Sequence, residues 1–439
     1  MIKYDSYKES DIEWLGEVPE HWKNYRIDST ASLVRGNTGL LKDELLANGE
    51  YVALQYGKTY KVDEVNNTFD FFVNSEYYKK GQIVNLGDTV LISTSETIED
   101  LGHSCFYNRR DLGLLGGEQI LLKPIKKIVS EKYLYYYSKF FKYELQKYAT
   151  GLKVFRFNID DLKEISIAIP SKEEQTTIAK YLDNKTQAID KKVNLLDKKI
   201  GYYKELRKSI INETVTKGLD KTAKLKDSGI KWIGQIPEHW EVKRLKDSFD
   251  IFTGNSISDK TGYENPIDAI PYVATKDINF DTGQVDFNNG VYISKSDNSF
   301  KKTKGYTSLI CIEGANAGKK IGFTETPVSF VNKLCAIKVK SYISDDKYNF
   351  YYLNSVGFSE QFFTLISGLI GGVSINKVKE FLVLLPPKAE QTKIATYLDH
   401  KTQTIDKTVG NIQKQITTLK ELRKTLINDV VTGKIKVVE

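Results

Sequence analysis

The chain has 439 residues but only three cysteines, four histidines, nine prolines and one methionine. Cys105, Cys311 and Cys335 are too scattered for a disulfide framework or a zinc knuckle, and four histidines leave little scope for metal chemistry. No apolar run approaches the length needed to span a membrane. The opening MIKYDSYKES lacks the apolar core of a secretory signal, so a cytoplasmic protein with no membrane partner is expected.

Motifs that carry chemistry are missing as well. No Walker-type phosphate loop occurs. Gly314–Lys320 (GANAGKK) is glycine-rich and basic but lacks the spacing and the hydroxyl residue after lysine. A phosphate-contacting turn and a plain hairpin loop remain equally open there. There is no Asp/Asn-Pro-Pro-Tyr motif of amino-methylating enzymes, no glycine-rich methyl-donor loop and no clear carboxylate–lysine nuclease pattern. No nucleophile or carboxylate pattern accompanies His21 or His239, so neither is read as catalytic. The expectation is a reader rather than a catalyst, with no metal and no cofactor bound by this chain.

What the chain does have is one stretch written twice. Ser171 begins SKEEQTTIAKYLDNKTQAIDKKVNLLDKKIGYYKELRKSIINETVTKG, and Pro387 begins PKAEQTKIATYLDHKTQTIDKTVGNIQKQITTLKELRKTLINDVVTGK, with an offset of 216 residues. Apolar residues recur in steps of three, four and seven: Ile178, Leu182, Ile189, Val193, Leu196, Ile200, Tyr203, Leu206 and Ile210 in one copy. The other has Ile394, Leu398, Ile405, Val409, Ile412, Ile416, Leu419, Leu422 and Leu426. That spacing predicts two long helices with heptad-like stripes. Ser171 with Glu174 fits a capping box, Pro387 suits a first turn, and Gly218 and Gly433 fit the ends. A helix of about 40 residues is roughly 60 Å long and cannot bury its stripe on itself. The two copies are expected to pair, with Leu182, Ile189, Val193, Leu196 and Ile200 facing Leu398, Ile405, Val409, Ile412 and Ile416. Chain order permits either direction; an antiparallel pair would put the attached domains at opposite ends.

The repeat extends further. DIEWLGEVPEHW (Asp11–Trp22) returns as GIKWIGQIPEHW (Gly229–Trp240), a staple at the base of each domain. Gly36-Asn37 and Gly254-Asn255 both follow a short β-like run and read as turns. Strands are expected at Tyr51–Gln55, Ile83–Val84, Thr89–Thr94 and Gln119–Lys123, and again at Ile270–Ala274, Val291–Ser294, Leu309–Ile312 and Cys335–Val339. Glu131–Tyr148 and Asp346–Phe363 read as amphipathic helices. Tyr133, Tyr137, Phe141, Leu145 and Tyr148 share a face better suited to core packing than to stacking on bases. Each domain then passes through a glycine (Gly151, Gly368), a loop and an apolar strand, Ile165–Ile169 or Phe381–Leu385.

The expected fold is therefore α+β, with two α/β domains alternating with two long helices paired as an antiparallel coiled coil in a pseudo-twofold internal repeat. The segments are 1–168 (first domain with its staple), 169–219 (first helix), 220–240 (linker and second staple), 241–385 (second domain) and 386–439 (second helix). Of the net charge of +7, segments 171–235 and 386–439 carry +6 and +4, while 1–170 carries −3 and 236–385 is neutral. Positive charge thus lies on the helices and their flanks. Any nucleic-acid contact by the domains would come from local clusters.

The motif set resembles the specificity (S) subunit of type I restriction–modification enzymes. It comprises Pro170, Glu174-Gln175, Ile178-Ala179, Tyr181–Asp183 and Lys204–Lys208. These return at Pro386, Glu390-Gln391, Ile394-Ala395, Tyr397–Asp399 and Lys420–Lys424, alongside the Trp-Leu-Gly…Pro-Glu-His-Trp staple. The resemblance implies that each domain is a target-recognition domain reading half of a split, asymmetric site in double-stranded DNA. It implies helices that set the gap and dock two modification (methyltransferase) subunits, which would use S-adenosylmethionine to methylate adenine. Restriction subunits (translocase and nuclease) would join them, and this chain would catalyse nothing. A stand-alone methyltransferase or nuclease with divergent motifs, or a coiled-coil scaffold, are the competing classes. The basic and polar loop residues expected at DNA are Arg35, Asn37, Lys58, Arg109, Arg110, Lys153 and Arg156 in the first domain. Those in the second are Asn255, Lys276, Lys302, Lys304, Asn316, Lys319 and Lys320. About half of these are expected to be ordinary solvated charges.

Overall fold

The computed structural model describes residues 2–340, 344–366 and 371–437. It divides into two compact units, Met1–Asn194 with Ile416–Glu439, and Leu195–Gln415. The divisions fall inside the long helices. Each unit thus holds one globular domain, part of the first long helix (Lys172–Lys217) and part of the second (Lys388–Val431).

In the first unit a five-stranded sheet has the order Ala31–Arg35, Gln119–Pro124, Thr89–Ile92, Ser104–Tyr107, Glu64–Val65. A four-stranded sheet adds Phe72–Val73, Tyr51–Leu54, Gly113–Leu115 and Ile83–Val84. The second unit has a four-stranded sheet, Phe249–Thr253, Leu334–Val339, Thr307–Cys311, Ile321–Thr324, and a three-stranded one, Tyr292–Ser294, Ala269–Val273, Ser329–Phe330. Each domain closes on itself. Lys23 pairs with Ile169 and Glu241 with Leu385, so the strand leaving the staple lies antiparallel to the strand entering the long helix.

The long helices start and stop close to where the sequence placed them. Gly218 and Gly433 take φ of +72° and +76°, the left-handed conformation that lets a helix end without a Cβ penalty. A Cβ on Gly433 would also strike Pro19, and one on Gly218 would crowd Glu390. Within the first unit the two helices run antiparallel: Arg423 reaches Asp190, while Gly433 meets the Trp22 that Glu174 holds. The second unit repeats this, with Arg207 on Asp406 and Gly218 beside Trp240 and Glu390.

Leu182, Val193, Leu398, Ile405, Ile412 and Ile416 are buried; Ile189, Leu196, Ile200 and Val409 are half-buried. Leu206 and Leu422, counted in the stripe by spacing, are exposed instead. Near the helix ends Ile211, Val215, Ile427, Val430 and Val431 are buried, because there the helices lie on the domains. Tyr133, Tyr137, Phe141 and Leu145 are fully buried in the first core, as their helical spacing suggested; Tyr148 is exposed. The matching segment of the second domain is two helices, Asp346–Leu353 and Val356–Phe363, not one. Asn354 turns its amide onto the Phe350 carbonyl, and Ser355 caps the next helix by accepting from the Phe358 N–H, which breaks the run between them. Gly368 lies outside the described residues.

Candidate nucleic-acid interface

The repeated motif residues are occupied in holding domain to helix, and they do so twice. Glu174 lies 2.8 Å from His21 Nε2 and accepts the Trp22 indole N–H at 3.3 Å; Glu390 does the same for His239 at 2.8 Å and Trp240 at 3.2 Å. Each staple histidine therefore does have a carboxylate partner, roughly 150 residues on, which sequence reasoning missed. Ser171 accepts from the Glu174 N–H at 3.3 Å, but the Glu174 carboxylate turns to the staple, so only half of the expected capping box forms.

Gln175 and Gln391 are buried. Each accepts from the backbone just ahead of the aromatic helix, Ser130 N–H and Asp345 N–H both at 2.8 Å, and donates back to the Pro170 or Pro386 carbonyl. Asp183 and Asp399, ending the two Tyr-Leu-Asp motifs, accept from Tyr136 at 2.7 Å and Tyr351 at 2.6 Å. The arginines of the two Lys-Glu-Leu-Arg-Lys motifs meet Asp190 and Asp406. Burial alone would raise the Asp63 carboxyl near Arg423. Lys139 and Arg423 outweigh it and hold Asp63 well below the usual carboxylate range. Burial pushes the Cys105 and Cys335 thiols up to about 12, so neither is a nucleophile at neutral pH.

The residues expected at DNA divide into two groups. Arg35, Arg110, Lys153, Arg156, Lys276 and Lys304 are exposed and carry no side-chain partner among the described residues. Lys319 is exposed too, in weak contact with the Ala315 carbonyl at 3.4 Å. Asn37 is exposed and receives Lys79 on its carbonyl at 2.8 Å, which brings a lysine that sequence reasoning overlooked to the Gly-Asn turn.

The others have partners within their own domain. Arg109 is a correction: its guanidinium turns inward, donating to the Phe69 carbonyl at 2.9 Å and to Asp111 at 2.6 Å, and lies over Phe72. Lys58 sits over the Phe71 ring at 4.2 Å. Lys302 donates to the carbonyls of Lys295 and Asp297, and Lys320 to that of Thr275. Asn255 donates to the Ser299 carbonyl and accepts from the Lys301 N–H, locking its own turn. Asn316 receives the N–H groups of Lys319 and Lys320 on its backbone carbonyl, inside the loop that joins antiparallel strands Thr307–Cys311 and Ile321–Thr324. Gly314–Lys320 is that hairpin loop.

Two features went unnoticed in the sequence. A Cβ on Gly36 would lie 1.9 Å from the Gly116 carbonyl oxygen, and one on Gly254 1.8 Å from that of Phe330. The repeated glycine is required by close backbone approach. The hairpin Thr150–Arg156 carries Leu152 at its tip, 99% exposed, beside Lys153.

Comparison with known proteins agrees with this geometry. The profile of the type I restriction modification DNA specificity domain matches twice, at residues 19–198 and 237–418. The MjaVIII specificity subunit of Methanocaldococcus jannaschii is 26% identical, over 100% of this chain and 99% of its own length. The EcoKI specificity subunit of Escherichia coli K12 is 22% identical, over 92% of this chain and 88% of its own. In fold, the chain is similar to one solved in work on assembly and conformational transition of the type I R-M system (TM-score 0.73, 15% identity, 95% and 99% covered). It also resembles HsdS of Thermoanaerobacter tengcongensis (TM-score 0.52, 15% identity, 95% and 98% covered). Among the described residues no helix is long and apolar enough to cross a membrane. With its doubled domain, its two long helices and matches along its full length, this chain belongs to the type I restriction–modification DNA specificity family, as a subunit that recognises DNA sequence.

Proposed function

We propose that each globular domain reads one half of a split, asymmetric DNA site, and that the two helices set the gap between halves and dock two modification subunits. The observation that supports this most is the contrast within the repeat. Residues common to both copies bind domain to helix, whereas the exposed basic residues differ. Arg35 ends the outer strand of the first sheet, and Thr253 stands at the same place in the second. Two unlike reading surfaces on one frame suit an asymmetric target. Base edges in the major groove supply the sequence code, and exposed Arg and Lys side chains suit guanine edges and phosphates.

In this reading the chain works in the cytoplasm and transfers no methyl group itself. S-adenosylmethionine belongs to the modification subunit, which flips the target adenine out of the stack to methylate it. Restriction subunits complete the assembly and cleave unmodified DNA. The test is methyl transfer by purified components. The chain with its modification subunit should methylate target DNA, and the chain alone should not. S-adenosylmethionine-dependent transfer by the verified single chain would overturn the proposal.

A further inference from the structure

We propose that the arginine of each Lys-Glu-Leu-Arg-Lys motif positions the recognition domain of the other repeat. Arg423, on the second long helix, sets the first domain; Arg207, on the first long helix, sets the second. The functional consequence rests on the half-site reading above.

In the first unit Arg423 Nε lies 3.0 Å from Asp190 Oδ1, and Nη2 lies 2.8 Å from Asp63 Oδ2. Asp190 is on the first long helix and Asp63 is in the domain. One guanidinium therefore ties both helices to the domain. The Asp63 carbonyl accepts from the Phe106 N–H at 3.0 Å, and its carboxylate also meets Lys139 Nζ at 2.6 Å. That fixes Asp63 beside the strand Ser104–Tyr107, next to the edge of the five-stranded sheet.

The second unit builds the same junction from different parts. Arg207 Nε lies 3.1 Å from Asp406 Oδ1, and Nη2 donates to the Thr282 carbonyl at 3.4 Å. The adjoining Gly283 carbonyl accepts from the Phe323 N–H at 3.1 Å, in the outer strand Ile321–Thr324. Lys204, one turn earlier on the same helix, meets Asp281 at 2.7 Å. Both arginines thus grip the segment lying against a strand at the far side of the domain's main sheet. One grips a carboxylate and the other a carbonyl.

The crossing follows from the antiparallel pairing. The end of each helix lies beside the start of the other, and so beside the domain attached there. Arg423 and Arg207 side chains are 18% and 12% exposed, so the guanidiniums are held away from solvent while the carboxylates they meet, 43% exposed for Asp63 and 28% for Asp406, stay partly screened. A planar guanidinium can serve two acceptors in fixed directions, which a lysine ammonium does less well. At the domain Arg423 meets a carboxylate, whereas Arg207 meets a carbonyl beside the separate Lys204–Asp281 pair, so loss of Arg423 removes more of its junction than loss of Arg207.

The test uses the complete enzyme with R423M, R207M, R423K and R207K, after domain exchange has assigned each half-site to its domain. Methylome sequencing should show R423M losing about tenfold discrimination in the first domain's half-site alone, the size of a coupling between neighbours. R207M should relax only the second domain's half-site, and by less. The lysine variants should recover part of each loss. Hydrogen exchange on the DNA-free chain gives an independent readout: faster exchange at the Phe106 N–H in R423M and at the Phe323 N–H in R207M, each leaving the other unchanged. Crosswise exchange with both half-sites altered alike would sink the half-site reading while supporting the crosswise coupling. Exchange that tracks each arginine's own repeat, or changes at neither amide, overturns the coupling.

Discussion

The indole N–H of Trp22 donates to Glu174 over 3.3 Å of space and 152 residues of chain. Trp240 and Glu390 repeat the contact at 3.2 Å. Both tryptophans are fully buried, so their N–H groups have no water to turn to. The staple is thus a clasp on the first turn of the helix that comes after the domain. Glu174→Ala or Glu390→Ala should cost about 1–3 kcal/mol by leaving a buried donor unpaired. Glutamine, which keeps an acceptor, should cost less. Urea unfolding reads this directly; an unchanged midpoint in both alanine variants would refute the clasp.

His103 offers a check on the buried polar edge of the first domain. Its Nε2 lies 2.9 Å from the Val62 carbonyl, and burial together with the nearby Lys139 lowers its pKa to about 4, against smaller opposing pulls from that hydrogen bond and from Asp63. The unfolded chain takes up a proton near pH 6.5 that the folded chain refuses until about pH 4. The stabilising contribution is therefore complete above pH 6.5 and is lost as pH falls through that window, at no more than about 1.4 kcal/mol per pH unit. His103→Gln should flatten the slope between pH 6.5 and 4. Equal slopes in variant and parent would show that another group carries the acid sensitivity.

The hairpin Thr150–Arg156 should touch DNA. If Arg156 reads a base, Arg156→Ala should cost about 1–3 kcal/mol and relax one position; Lys153→Ala should weaken all sequences alike and lower the salt slope by about one. Binding titrations of the assembled methyltransferase at several salt concentrations separate the two. Unchanged affinity and salt slope in both variants would remove this hairpin from the interface.

Helical periodicity, turn glycines and repeated aromatic spacing made the long helices, their ends and the burial of Tyr133 to Leu145 legible, because those features depend on neighbours in sequence. The clasp was not legible. Glu174 had two possible partners, Ser171 three residues away and the staple about 150 away, and local pattern favours the near one. Arg109 failed for a related reason: a loop arginine looks solvent-bound until Asp111 and the Phe69 carbonyl are seen to face it. Leu206 and Leu422 matched the stripe by spacing, but the buried side near the helix ends is decided by the domains.

The helices as a ruler give a further outcome. The first is one unbroken helix of 46 residues, about 69 Å at 1.5 Å per residue. Four residues inserted after Lys199 add about 6 Å and rotate the downstream part of the helix by about 40°, a stutter that a heptad stripe absorbs. The gap between half-sites should lengthen by one or two base pairs at roughly 3.4 Å each, with both half-sites kept. An active variant with an unchanged gap in its methylome would exclude the helix as ruler. Val193→Pro should instead break the helix, at about 3 kcal/mol or more, and weaken docking of the modification subunits.

The most direct measurement exchanges residues 23–168 for the first domain of another family member and maps methylation across a genome. The Trp22–Glu174 contact lies outside this segment and is kept, and the incoming domain can remake the Lys23–Ile169 strand pair through its backbone. The account predicts a new sequence in one half of the site, with the other half and the gap unchanged. Alteration of both halves, or of neither, would contradict it.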